Sequence, residues 1–393
     1  MSRLKLYNGQ IITPGKIMDG GTLLIADGRI EAVSEGNIDV PDATVIDVRG
    51  KYISPGFIDI HVHGGGGHDF MDNTTEAFLE IAKAHARYGT TALMPTTLSS
   101  SKEDLLETLS VYDIAHQQNT GGAQFIGMHL EGPYFALAQC GAQDPRYIRN
   151  PDAEEYKEII ASSSAIKRWS AAPELPGAIE FGHYLLEHGI LPSTAHTNAV
   201  YEDALKGFEN GYTLATHLYS GMLGVTRRNA YRYAGVVEAA YLIDDMDVEI
   251  IADGIHLPPP LLQLVHKIKG AKRTALITDA MRGAGMPPDE SVLGGLKNGL
   301  KVIVEDGVAK LPDRSAFAGS VATFDLLVRN MVRLAGVSLL DAIEMAGLTP
   351  ARIMSIADKK GSIEVGKDAD VVIFDEDIVI DKTIVAGKII YER

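Results

Sequence analysis

The spacing of apolar and polar positions divides the chain into three stretches. Residues 1 to 54 read as short strands: LKLYNGQIIT, GTLLIADGRIEAVS and ATVIDVRGKYISPG alternate or run apolar, with Gly, Asp and Pro at the joints. The C-terminal stretch GSIEVGKDADVVIFDEDIVIDKTIVAGKIIYER repeats that style, so the two ends predict one small β domain split across the chain. Between them stand eight apolar segments: GFIDIHVHG, TTALMPTT, AQFIGMHLEG, RWSAAPEL, ILPSTAHTNA, YTLATHLYS, VEIIADGIHL and RTALITDAM. Each meets a polar or Gly/Pro-marked turn and then, mostly, a helical period. Helices are predicted in TTEAFLEIAKAHARYG, SKEDLLETLSVYDIAHQQN, AIEFGHYLLEHG, VYEDALKGFENG and LPPPLLQLVHKIKG. Eight β-then-α units predict a (β/α)8 barrel. A doubly wound open sheet is the weaker choice, because no Gly-rich phosphate fingerprint follows the first strand. The expected fold is therefore α/β: a TIM-like barrel over residues 55–349, with a small β-sandwich domain built from residues 1–54 and 350–393. Residues 283 to 319 read as a loop or hairpin inserted over the barrel mouth, before helices near 321–335 and 338–346.

Composition narrows the possible partners. The 393 residues are 46% hydrophobic and 22% charged, an ordinary globular balance. A formal charge of −16 argues against nucleic acid or an anionic membrane as the main partner, so an anionic substrate needs a local cationic cluster. Cys140 is the only cysteine. That excludes an intrachain disulfide, argues against a thiolate metal site and suits a reducing cytoplasm. No window of about 18 apolar residues occurs, and the start MSRLKLYNGQIITPGK lacks an apolar core, so neither a membrane span nor a signal peptide is expected.

Candidate chemistry gathers at one end of the eight segments. His61, His63, Glu131, His196, His217 and Asp279 fall at the C-terminal ends of segments 1, 1, 3, 5, 6 and 8, the barrel face where active sites form. His61 and His63 are two apart on a strand and point the same way, so they can converge on one ion. Imidazole and carboxylate without sulfur suit Zn(II), Fe(II), Mn(II) or Co(II), and do not choose among them. His129 shares the face of Glu131 and is expected to support the site or the core rather than bind the ion. His68 reads as a loop residue, and His85, His116, His183, His188 and His266 as helix residues. The glycines 64 to 67 are expected to turn the loop close to the ion, since no helix with Lys-Ser/Thr follows to cradle a phosphate. After segment six, THLYSGMLGVTRRNAYRYAG supplies Arg227, Arg228 and Arg232, whose guanidinium forks suit phosphate oxygens.

The stretches PGFIDIHVHGGGG, TTALMPTT, GMHLEGPY, GAQDPRYIR, AHTNA, THLY, IADGIH, LITDA, FAGS and GKDADVVIFD resemble, in order and over nearly the whole chain, the amidohydrolase superfamily. Within it they are most similar to the N-acetylglucosamine-6-phosphate deacetylase family. The resemblance implies that Glu131, His196 and His217 are metal ligands, that His61 and His63 complete a second metal site, and that Asp279 is the acid/base. It implies one or two divalent ions per subunit, zinc first, with iron, manganese or cobalt as alternatives. Superfamily members that bridge two ions with a carbamylated Lys carry it on the fourth strand. Here Lys167 stands just before that strand, which leaves Glu131 as the bridging group. For the substrate, the resemblance implies Arg228, reaching the neighbouring active site of a homodimer, with His256 and Asp253 from ADGIH. It adds Ala142, Gln143, Ser220, Gly221 and the loop Phe317, Ala318 and Gly319. Gln143 stands where some members have a carbonyl-polarising His, and Ser220-Gly221 replaces the usual Asn-Ala. The implied reaction is metal-dependent hydrolysis of N-acetylglucosamine 6-phosphate to glucosamine 6-phosphate and acetate, in amino-sugar catabolism and cell-wall recycling. The alternatives are N-acetylgalactosamine-6-phosphate deacetylase, N-acyl-D-amino-acid deacylase and isoaspartyl dipeptidase.

Overall fold

The computed structural model describes residues 3–288 and 290–393. Five strands open the chain: β1 (Arg3–Thr13), β2 (Lys16–Ala26), β3 (Arg29–Ser34), β4 (Ala43–Asp47) and β5 (Tyr52–Pro55). Eight parallel strands follow: β6 (Phe57–Val62), β7 (Thr90–Thr97), β8 (Met128–Glu131), β9 (Ile166–Ala171), β10 (Leu191–Thr194), β11 (Leu214–Ala215), β12 (Asp247–Ile250) and β13 (Thr274–Leu276). They pair in chain order. The barrel closes where Asp279 N donates to His61 O at 2.9 Å and Val62 bridges Ala280. An antiparallel sheet of β14 (Glu290–Leu293), β15 (Leu300–Glu305) and β16 (Val308–Lys310) forms the insertion expected over residues 283 to 319.

The chain ends in β17 (Val371–Phe374), β18 (Ile380–Val385) and β19 (Lys388–Glu392). Antiparallel pairing of β17 with β5 joins the two termini into one sheet, ordered β19-β18-β17-β5-β1-β2-β3, with β4 also on β1. Leu6, Ile11, Leu23 and Ile53 from the N-terminal part and Val371, Ile373 and Ile384 from the C-terminal part share its core. Neither part has an apolar face large enough to stand alone, so the split is resolved by burial rather than by chain order.

Every predicted helix forms, and among the described residues three unpredicted α-helices join them: Ala153–Ser162 after β8, Val236–Leu242 after β11 and Leu348–Ile353 before the C-terminal strands. The first has readable signals: Asp152 caps the backbone NH groups of Glu154 and Glu155, and Tyr156, Ile159 and Ile160 are buried at helical spacing. The second is seven residues long, too short for a period to show. The helix Leu348–Ile353 straddles the boundary drawn between residues 349 and 350, and its Ala351 packs against Ile58 and Ile60 of the barrel.

Beneath the mouth the barrel is polar. Arg168 on β9 is fully buried and pairs in bidentate fashion with Glu249 on β12. It also donates to Ser193 Oγ at 2.9 Å, Thr216 Oγ1 at 2.8 Å and Ile60 O at 3.2 Å, so one guanidinium ties four strands and the turn after β11. Burial alone would raise the Glu249 pKa, but the Arg168 charge outweighs it and holds the carboxyl below its usual range. Removing one partner leaves an uncompensated buried charge, whereas removing both leaves an apolar gap. Arg168→Met is therefore expected to lower stability by about 3 to 5 kcal/mol, and Arg168→Met/Glu249→Leu to recover most of that loss in urea unfolding. Equal losses in the single and double variants would contradict this account.

Candidate active site

The turns that end the barrel strands aim the predicted residues at the barrel axis. His63 lies one residue past β6, His196 two past β10, His217 two past β11 and Asp279 three past β13. Three of these sit in the left-handed region, His196 at φ +44°, His217 at +31° and Asp279 at +47°. Non-glycine residues rarely adopt it, and such strain gathers at functional sites where the fold over-determines the turn. At each position the backbone leaves the strand sharply, and the side chain turns inward over the barrel instead of continuing the pleat.

All six side chains are buried, in two groups: His61, His63 and Asp279; and Glu131, His196 and His217. Glu131 stands between them. Its Oε1 lies 3.0 Å from His217 Nε2, 3.4 Å from His196 Nε2 and 3.5 Å from His61 Nε2, and its Oε2 lies 3.4 Å from His63 Nε2. Asp279 Oδ1 is 3.1 Å from His63 Nε2 and 3.5 Å from His61 Nε2.

These residues fit one or two cations. His196 Nδ1 is 2.8 Å from Gln139 O and His63 Nδ1 is 3.2 Å from Thr96 O, so each Nδ1 donates to a carbonyl and leaves Nε2 with its lone pair inward. His61 Nε2 and His63 Nε2 face each other at 3.3 Å, a contact in which two lone pairs repel unless positive charge lies between them. Without an ion that charge is a proton. Burial opposes protonation of His61 and His63, but Glu131 and Asp279 override it and raise their pKa values to about 9 and about 10. His129 differs. Its Nε2 contacts Ser170 Oγ at 2.6 Å and its Nδ1 contacts Thr96 Oγ1 at 3.3 Å, so both nitrogens are occupied away from the cluster. Burial, helped by the nearby Arg168 charge, pushes its pKa well down and keeps it neutral.

The match to known proteins runs along the whole chain. Residues 52–390 fit the amidohydrolase family. The chain belongs to the amidohydrolase family. It is 34% identical to an N-acetylglucosamine-6-phosphate deacetylase of Lysinibacillus sphaericus over 92% of this chain and 91% of that one. It is 32% identical to an N-acetylgalactosamine-6-phosphate deacetylase of Escherichia coli O157:H7 over 97% of each. It superposes with a TM-score of 0.90 at 29% identity on a mutant of N-acetyl-D-glucosamine-6-phosphate deacetylase from Mycobacterium smegmatis, solved in complex with N-acetyl-D-glucosamine-6-phosphate. That match covers 99% of this chain and all of the other. Amidohydrolases are metal-dependent, in keeping with the two ligand groups.

The amidohydrolase cluster opens into a cavity of about 240 Å³ that is also lined by Ala142, Gln143, Ser220, Gly221, His256, Phe317 and Gly319. Leu98, Gly141, Tyr219, Leu293 and Ala316 line it too, and sequence reasoning did not single them out. Leu98 was within reach, one residue past the second apolar segment; Leu293 comes from the insertion, whose packing carries no local signal. Ala318 is fully buried behind the wall. Asp253 sits behind His256, accepting from His256 Nδ1 at 2.7 Å and from its backbone NH at 2.8 Å. Gln143 has both amide ends engaged: Nε2 donates to Glu131 Oε2 at 2.6 Å, and Oε1 accepts from Ser99 N at 2.7 Å. In this structure it therefore orients Glu131 rather than offering a free donor to a carbonyl. Lys167 is exposed and belongs to neither ligand group. Arg228 is exposed on a hairpin of Thr226–Arg228 with Tyr231–Tyr233, its guanidinium 5.3 Å from the Tyr233 ring, and does not line the cavity of its own chain.

Gly221 explains part of the Ser220-Gly221 departure. It sits at φ +57°, and a Cβ there would fall 2.6 Å from His196 Nδ1. Gly221→Ala is expected to push His196 off Gln139 O and weaken metal binding about 10- to 100-fold in a chelator competition, the usual cost of losing an orienting partner. Unchanged affinity would show that the His196 ring is held by something else.

Proposed function

We propose that this amidohydrolase removes the acetyl group from N-acetylglucosamine 6-phosphate, giving acetate and glucosamine 6-phosphate in amino-sugar catabolism and cell-wall recycling. The observation that carries the reading is the Glu131 carboxylate shared between two ligand groups, with Asp279 at the same cavity, in a chain aligned end to end with deacetylases. His61, His63, Glu131, His196, His217 and Asp279 would hold the ions, zinc first among the candidates, with iron, manganese and cobalt as alternatives. A bound divalent cation supplies Lewis acidity, polarising the amide carbonyl and acidifying water.

The chain's own groups do the rest. Burial works against ionisation of Asp279, but the charges of His61 and His63 outweigh it and lower its pKa, and a cation held by those rings would act in the same direction, so the group is a carboxylate, the form that can accept a proton. It takes the proton of the attacking water and passes it to the departing amine as the C–N bond breaks. Asp253 fixes the His256 ring through Nδ1 and so sets where its Nε2 edge stands in the cavity; with Nε2 also protonated, the ring is a cationic donor to a phosphate oxygen. Phe317, its ring 4.6 Å from that of His256, and the Ser220-Gly221 turn flank the sugar. The Arg228 hairpin exposes Val225 and Tyr231 beside Arg227 and Arg228, a mixed apolar and cationic surface suited to a second copy of the chain. In the proposed homodimer Arg228 reaches the partner's phosphate. The galactosamine epimer is the second reading, favoured by the 32% identity to its deacetylase.

Acetate release from both epimers by protein loaded with each metal in turn tests the reading; no release from either hexosamine phosphate would refute it. Asp279→Asn keeps the shape and removes the proton acceptor, so kcat is expected to fall at least about a hundredfold with KM little changed. A near wild-type kcat between pH 6 and 9 would take the acid/base role from Asp279. Arg228→Gln is expected to cost roughly ten- to a hundredfold in kcat/KM on the phosphorylated sugar and little on the unphosphorylated one. Mixed with Asp279→Asn protein, it should form hybrid dimers with one intact site. Subunit exchange without activity above either parent would place the arginine in its own chain's site.

A further inference from the structure

A second cavity, of about 420 Å³, lies directly behind the catalytic pocket. Leu98, Ala142 and Leu293 line both spaces and form the wall between them. On the far side the lining continues with Met71, Leu296 and Leu300. The volume falls within the roughly 300–1,000 Å³ of pockets that hold small molecules.

Barrel topology sets which end of a substrate faces this wall. In the eight-strand order, β7, which Leu98 follows, lies across the barrel from β11, whose following turn carries Ser220 and Gly221. His256 follows β12, the next strand round. A substrate with its carbonyl at the Glu131 cluster and its phosphate on the β11 and β12 side would leave the wall of Leu98, Ala142 and Leu293 to the remaining substituent of the carbonyl carbon. That substituent is the methyl of an acetyl group.

We propose that the second cavity is an acyl-chain site, so that the amide hydrolysed extends beyond acetyl to linear N-acyl groups of three to six carbons. The inference rests on the deacetylase reading of the catalytic pocket. The dividing wall is built of side chains alone, one methyl and two leucines, and leucine has alternative staggered rotamers. The gap behind it is held open rather than left loose. Arg282 donates to Asp72 Oδ1 at 2.6 Å and Oδ2 at 2.9 Å, to Gly67 O at 2.9 Å and to Gly294 O at 3.0 Å. Gly294 N donates to Asp69 Oδ2 at 3.1 Å and Leu296 N to Asp72 Oδ1 at 3.2 Å. These bonds pin the insertion over the loop at residues 68–74, while Gly294, Gly295 and Gly299 put no side chain into the space between. Charge selects the ligand. Of the carboxylates in the lining, Asp72 is paired with Arg282 and Asp144 with Arg146, which leaves Asp104 and Glu107 against Lys297; among the described residues no cationic cluster faces the space to hold an anion, and the apolar wall suits a neutral alkyl chain. The chemistry is unchanged: water oxygen joins the acyl carbon, the C–N bond breaks, and the proton goes to the amine.

The test is a series of glucosamine 6-phosphates bearing N-acetyl, N-propionyl, N-butyryl and N-hexanoyl groups, assayed on the metal-loaded protein. Propionyl and butyryl are expected to keep kcat/KM within about tenfold of acetyl, where a closed pocket would reject each added methylene. Two variants fill the cavity away from the catalytic wall, Leu300→Trp and the exposed Lys297→Trp. Each is expected to leave acetyl turnover within about twofold and to lower hexanoyl turnover at least about tenfold. Acetyl turnover with a thousandfold drop at propionyl, or a chain-length profile identical in wild type and both filled variants, would overturn the acyl site. Failure to hydrolyse any member, acetyl included, would instead overturn the deacetylase reading, and the acyl site with it.

Discussion

Two carboxylates and four imidazoles buried within a few ångströms of one another are costly unless positive charge sits among them. Without an ion the histidines of the β6 end satisfy that demand by holding protons well above their ordinary range. A divalent cation satisfies it better, because it accepts the inward lone pairs of several rings at once. The left-handed turns at His196, His217 and Asp279, the carbonyls that fix the His63 and His196 tautomers, and the Gln143 amide on Glu131 all serve this arrangement.

The polar layer beneath the site carries the same constraint downward. Arg168 and Glu249 form a buried pair whose carboxylate lies 3.6 Å from His61 Nδ1. Through them the electrostatics of the metal cluster extend into strands β9 and β12, which supply no predicted ligand of their own. A barrel filled with aliphatic side chains would bury more apolar area, yet it would leave His61 without an acidic neighbour on its outer nitrogen.

Above the site the mouth has two unlike sides. The loops after β11 and β12 bring a small turn, a histidine fixed by an aspartate and an aromatic ring. The loops after β7 and β8, with the insertion, bring small and branched apolar side chains backed by a cavity. Such asymmetry gives a substrate one orientation in which its polar end meets polar groups, and this is how loops confer specificity on a shared barrel.

Barrel strands were legible because each is a short apolar run ending in a turn, and the six cluster residues were legible because they close those runs. That information is local: strand period, strand end and residue type suffice to put the ligands on one face. The split β domain was legible for the same reason, as two stretches of like pattern. The role of Glu131 as the residue between two groups was reached only through the family resemblance, and the engagement of Gln143 and the buried Arg168–Glu249 pair were not local. They depend on distances between strands far apart in the chain, such as the 2.9 Å bond from Arg168 to Glu249 across 81 positions. By itself the sequence determined which elements form and which chemistry stands at their ends. Tertiary structure alone decided which of those side chains meet, because closing a barrel brings residues together by strand order and register, neither of which is written in any single segment.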